Sequence, residues 1–83
     1  MTPKLISASY LRDYRISVRF ADGTAGEIDL THELWGEVFE PLRDVAKFRE
    51  FEFDPELGTI VWATGADLAP EYLYREAARS AGA

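Results

Sequence analysis

Tyr14-Arg15-Ile16-Ser17-Val18-Arg19-Phe20, then Ala21-Asp22-Gly23, then Thr24-Ala25-Gly26-Glu27-Ile28-Asp29-Leu30 is the stretch on which the fold turns. Tyr14, Ile16, Val18 and Phe20 alternate with Arg15, Ser17 and Arg19, the period-two pattern of a strand with one face in a core and one in water. Beyond Gly23, the residues Gly26, Ile28 and Leu30 alternate in the same way with Ala25, Glu27 and Asp29, so the two runs form a hairpin. Side-chain faces decide its register. A two-residue Asp22-Gly23 loop sets Val18 opposite Glu27 and drives a carboxylate onto the apolar face, because a one-residue slip turns every side chain over. A three-residue loop with Gly23 left-handed in a bulge pairs Val18 with Gly26, Ile16 with Ile28 and Tyr14 with Leu30. On the outer face it sets Ser17 against Glu27 and Arg15 against Asp29. That exposed ion pair is worth only about 0.2–1 kcal/mol, but it marks the register.

On the N-terminal side, Lys4 to Tyr10 reads as a strand with Ile6, Ala8 and Tyr10 on one side, broken by Leu11-Arg12-Asp13. On the C-terminal side, Thr31 to Gly36 has a capping residue, acids in a first turn and a glycine stop, which predicts a single helical turn. Val38, Phe39, Leu42, Val45 and Phe48 recur at helical spacing, and Pro41 fits only a first turn, so a short helix is predicted from about Pro41 to Arg49. Asp44 offers an alternative cap for a second piece. A second hairpin follows, with Pro55-Glu56-Leu57-Gly58 as its loop and Asp54 opposite Thr59, so that Phe53 meets Ile60 and Phe51 meets Trp62. A last helix begins near Pro70, runs to about Arg79 and docks through Leu73, Tyr74 and Ala77. The expected class is α+β: one domain over residues 1–83, a small antiparallel sheet built from two hairpins with short helices packed on one face.

Composition bounds the function. With 47% apolar residues and 13% aromatics, the 83-residue chain can close one core and no second. Cysteine is absent, so disulfides, thiolate nucleophiles and sulfur-ligated zinc are excluded. No apolar run nears the roughly 18 residues of a membrane span, and Met-Thr-Pro-Lys-Leu-Ile lacks the form of a secretory signal, so a cytoplasmic protein is expected. Nine basic residues stand against fifteen acidic ones, a net charge of −6, which opposes direct contact with nucleic acid.

Groups with chemistry are few. His32 has no second histidine to complete a metal set, and no serine stands in an elbow motif. Glu33, Glu37 and Glu40 would share one face of a continuous helix, but Gly36 and Pro41 interrupt it, so a solvated acidic edge is the reading rather than a cation site. The glycines form no nucleotide-binding loop. Neither a catalytic residue, a cofactor nor a metal is therefore expected.

Trp62 to Tyr74 is the densest remaining stretch. Its geometry has a structural account: Trp62 fills the core, Gly65 permits a turn, Pro70 starts a helix, Asp67 accepts from turn or helix-start amides, and Glu71 favours the helix dipole. Read functionally, Trp62, Asp67, Pro70, Glu71, Tyr72 and Tyr74 make an exposed recognition edge, since aromatics with polar tips are enriched at interfaces.

Three motifs carry a resemblance. F-x-D-G at Phe20, Asp22 and Gly23, then L-W-G-x-V-F-x-P-L-x-D from Leu34 to Asp44 with Phe48, then W-x-x-G-x-D-L-A-P-E-x-L-Y from Trp62 to Tyr74, resemble the bacterial domain-of-unknown-function family numbered 2442. The resemblance implies a compact α+β fold with no established catalysis. It also implies a gene often beside that of another small protein, an arrangement resembling toxin–antitoxin pairs. Some members carry a following helix-turn-helix domain. This sequence stops at Ala83, so neither that extension nor regulation by DNA contact is expected. The functional expectation is a non-enzymatic protein-interaction module, paired with a small neighbouring-gene protein or with a second copy. The alternative is a small-ligand-binding or accessory enzyme domain using the Trp62–Tyr74 edge.

Overall fold

The computed structural model describes residues 2–81. Three strands, β1 (Leu5–Arg12), β2 (Arg15–Phe20) and β3 (Ala25–Asp29), form an antiparallel sheet in chain order. The β2–β3 register is the one that side-chain faces demand: Arg15 lies opposite Asp29, Ile16 opposite Ile28, Ser17 opposite Glu27 and Val18 opposite Gly26. Gly23 holds the left-handed φ of +93° that the loop requires. Arg15 and Asp29 approach to 3.8 Å on the outer face.

In β1 the alternation breaks where a simple strand would not. Leu5 pairs with Phe20 and Ser7 with Arg19, which leaves Ile6 as the extra residue of a β-bulge. The bulge inverts the faces, so Leu5 is buried and Ile6, expected inside, is 50% exposed. A second irregularity at Leu11 precedes a tight return to β2, in which Asp13 takes a φ of +47° and Arg12 pairs with Arg15. The Leu11-Arg12-Asp13 break is thus the end of another hairpin.

After β3, Thr31–Glu33 form one 3₁₀ turn, with Asp29 Oδ1 accepting from the Thr31 amide at 2.9 Å. The helix expected from Pro41 to Arg49 is divided at Asp44, whose ψ of 113° is extended. Glu40–Arg43 is a second 3₁₀ turn and α1 is Val45–Phe48, capped by Asp44 Oδ1 accepting from the Ala46 amide at 3.0 Å. The aspartate's competing side-chain bond wins over helix continuity, the alternative that its sequence position had left open.

The second hairpin, β4 (Glu52–Asp54) with β5 (Thr59–Val61), has the expected register, with Asp54 opposite Thr59 and Phe53 opposite Ile60. It forms its own two-stranded sheet instead of extending the first. Side chains make the join. Phe48 is fully buried, with ring centroids of Tyr14 from the β1–β2 turn at 5.4 Å, Tyr10 from β1 at 6.1 Å and Trp62 from beyond β5 at 5.8 Å.

The C-terminal helix α2 (Pro70–Ala81) lies mainly on β3, burying Leu73 and Ala77. Contact is tight at Gly26, where an added Cβ would sit 2.6 Å from the Ala77 carbonyl oxygen. Glycine in an otherwise alternating strand is therefore a packing requirement. Gly26→Val should destabilise the fold by about 1–3 kcal/mol through overpacking, read as a lower thermal midpoint by circular dichroism. An unchanged midpoint would show that α2 does not sit this close.

Candidate functional site

The turn between β5 and α2 is built by local hydrogen bonds. The Trp62 amide donates to the Ala66 carbonyl at 2.9 Å and the Gly65 amide to the Trp62 carbonyl at 3.0 Å, with Gly65 at a φ of +93°. Thr64 Oγ1 donates to the Val38 carbonyl at 3.0 Å, tying the turn to the loop before Glu40–Arg43. Thr59, a buried polar residue, donates its hydroxyl to the Leu68 carbonyl at 2.6 Å. The indole of Trp62 donates from Nε1 to the Phe48 carbonyl at 2.8 Å, so the ring's polar tip is satisfied inside the core. Burial and bonding account for Trp62, a positive φ and an amide bond for Gly65, and the first position of α2 for Pro70.

The six residues of the expected recognition edge do not share one surface. Trp62 is 5% exposed, at the floor of a cleft of about 300 Å³ that Leu42, Lys47, Glu50, Ala63 and Thr64 also line. Asp67 is exposed and bridges to Val61 through the backbone; among the described residues its carboxylate takes no hydrogen bond, so the amide contact expected of it is missing. Pro70 and Glu71 border a separate hollow with Thr2, Pro3, Lys4, Leu57 and Gly58. Tyr72 and Tyr74 stand two positions apart on α2 and turn to different neighbours, as helical periodicity dictates.

Tyr72 is half-buried beside Glu33, with the Arg75 guanidinium 5.9 Å from its ring centre. Burial first, and then the Glu33 carboxylate, push its hydroxyl above the usual phenol range, so it stays protonated. Tyr74 packs edge-on against Phe20 at 5.1 Å, and its hydroxyl donates to Asp22 Oδ2 at 2.7 Å. Asp22 Oδ1 meanwhile accepts from the Thr24 amide at 2.9 Å. The Thr24 amide and the Tyr74 hydroxyl hold the Asp22 carboxyl below the usual range. This network clips the C-terminal helix to the β2–β3 loop.

A different residue stands out. Trp35 is 69% exposed and Val38 45%, on the loop that leads from the first 3₁₀ turn to the second. That loop is held at several points. Arg43 Nε donates to the Leu34 carbonyl at 2.8 Å, the Glu40 amide to the Gly36 carbonyl at 2.9 Å, and the Val38 carbonyl takes the Thr64 bond. Beneath it Leu34 and Leu42 are buried, and Phe39 packs against Trp62 at 6.2 Å. An aromatic side chain is thus presented to solvent on a pinned support. The helical turn predicted over Thr31 to Gly36 gave no sign of this. The available signal was a tryptophan beside a glycine in an element too short to cover it.

Glu37, Glu40, Pro41 and Asp44 line a shallow cleft of about 530 Å³ on the same stretch. Among the described residues no three His, Asp or Glu side chains converge as a metal-binding group, and no helix is long and apolar enough to cross a membrane. His32 is exposed in the middle of the first 3₁₀ turn.

The model of the family described as protein of unknown function (DUF2442) matches residues 5–79. The chain belongs to DUF2442. No curated protein and no solved structure matches it. The match spans every strand of this DUF2442 fold, the Trp35 loop and most of α2.

The Tyr74–Asp22 clip has a pH signature. A carboxyl whose folded pKa is depressed adds stability above its unfolded value, near 3.8, and that contribution disappears as pH falls through the folded value. Tyr74→Phe removes the second of the two main bonds and leaves the Thr24 amide. In urea unfolding from pH 3 to 7, the variant should be less stable than wild type at neutral pH, with the gap narrowing below about pH 4. A gap that is constant with pH would place the Tyr74 contribution in packing alone.

Proposed function

We propose that this DUF2442 chain is a protein-interaction module whose docking residue is Trp35. The observation that carries the reading is a tryptophan 69% exposed on a loop whose backbone is already tied down. Interfaces concentrate their binding energy in a few aromatic and arginine residues, with tryptophan among the most enriched. A side chain held on a fixed support loses less conformational freedom on binding, which leaves more of the contact energy as affinity. Val38 adds apolar area on the same loop, and the strongly acidic composition favours a partner of opposite charge. The partner is a small protein encoded beside this one, as the family resemblance implies, or a second copy of the chain. An intracellular setting and a toxin–antitoxin-like pairing belong to the same proposal.

Co-expression with the product of the adjacent gene tests it. The tagged chain should retain that product through size-exclusion chromatography, or else elute as a dimer, and Trp35→Ala should abolish the association. Being exposed, Trp35 should be replaceable with a stability change within about 0.5 kcal/mol. A wild-type chain that elutes as a monomer with nothing retained would overturn the proposal, as would an association indifferent to Trp35→Ala.

A further inference from the structure

We infer that the Trp35 loop docks a cationic, arginine-bearing segment of a partner protein. The inference rests on the reading of the chain as an interaction module and supplies the chemistry of what it binds.

Charge on this stretch is one-sided. Between Glu33 and Asp44 stand four carboxylates, Glu33, Glu37, Glu40 and Asp44, and a single cation, Arg43. Arg43 is tied by its Nε to the Leu34 carbonyl, so it holds the loop in place. The ion pairs among the described residues, Arg15 with Asp29 and Arg79 with Glu76, leave Glu37, Glu40 and Asp44 out. These three line the open cleft beside Pro41, and the first of them, Glu37, follows the exposed Trp35 with one residue between.

An exposed indole two residues before Glu37 in the chain, followed by the acidic cleft, is a complement for a guanidinium. The cation is drawn to the ring's electron-rich face, and its planar fork matches carboxylate oxygens. Arginine meets both requirements at once, whereas lysine presents a point charge with no face to stack. The spread of the carboxylates also selects the occupant. They do not converge as a metal-binding group, so they suit charges distributed along an extended chain. A second copy of this chain fits poorly, since it carries the same net charge of −6.

The probe is a fluorescein-labelled peptide of four arginines alternating with glycine, followed by fluorescence anisotropy at low salt. Its control is the same peptide with citrulline for arginine. The arginine peptide should bind and weaken with added salt, and the citrulline peptide should not bind. Trp35→Ala and the double variant Glu37→Gln/Glu40→Gln should each weaken binding about tenfold or more. Glu27→Gln/Glu56→Gln, the same change in charge at exposed positions elsewhere, should not. The inference is overturned if the arginine peptide fails to bind, if the remote pair weakens it equally, or if Trp35→Ala has no effect. Retention of the adjacent-gene product that depends on Trp35 but survives Glu37→Gln/Glu40→Gln would leave the interaction module standing and remove the cationic segment alone.

Discussion

Phe48 is the point at which the separate parts of this domain meet. Neither sheet reaches the other through backbone hydrogen bonds, and the second has only three residues in each strand. A two-stranded hairpin of that length is not stable alone in water. What holds it is the aromatic cluster around Phe48, with Tyr10 of β1 and Tyr14 of the β1–β2 turn on one side and Phe51 and Trp62 on the other. The Trp62 indole then donates to the carbonyl of Phe48 itself, so apolar packing and a satisfied buried donor coincide at one residue. Rings on opposite sides of a gap can join two sheets whose strand edges never align.

The C-terminal helix depends on the opposite property, the absence of a side chain. Gly26 lets α2 settle against β3 at Ala77, and the Tyr74 hydroxyl reaches Asp22 in the loop that joins β3 to β2. The Tyr74–Asp22 contact spans 52 residues of sequence, so a helix too short to persist alone is stabilised by what it covers. The strand pattern, the loop glycine and the helix face support one another. Agreement of that kind between local preference and tertiary packing is what lets a chain of this length fold.

The two tryptophans have opposite surroundings. Trp62 stands in the most conspicuous motif, yet its burial and its bond to Phe48 explain it without reference to any ligand. Trp35 stands on the loop after the first 3₁₀ turn and is 69% exposed. Composition and spacing treat them alike, because hydropathy does not record which side of a turn faces the core. The candidate recognition edge from Trp62 to Tyr74 suffers from the same blindness. Its residues are close in sequence but lie on a strand end, a turn and two sides of a helix, and the chain direction sends them to different neighbours.

Much of the architecture was legible because one face of each strand must be dry. That requirement settled the β2–β3 register to the residue and the loop with its left-handed Gly23, and together with the Pro55–Gly58 loop it gave the pairing of β4 with β5. Helix starts followed from proline and aspartate chemistry, including the Asp44 cap that interrupts the middle helix. Other features were not legible, since they depend on contacts between distant residues. The bulge that exchanges Leu5 for Ile6 adds an unpaired residue to β1, which period-two alternation cannot express. The division into two sheets reflects ring packing around Phe48, where local propensity has no preference. The exposure of Trp35 is a property of everything that fails to cover it, and only the assembled fold shows that.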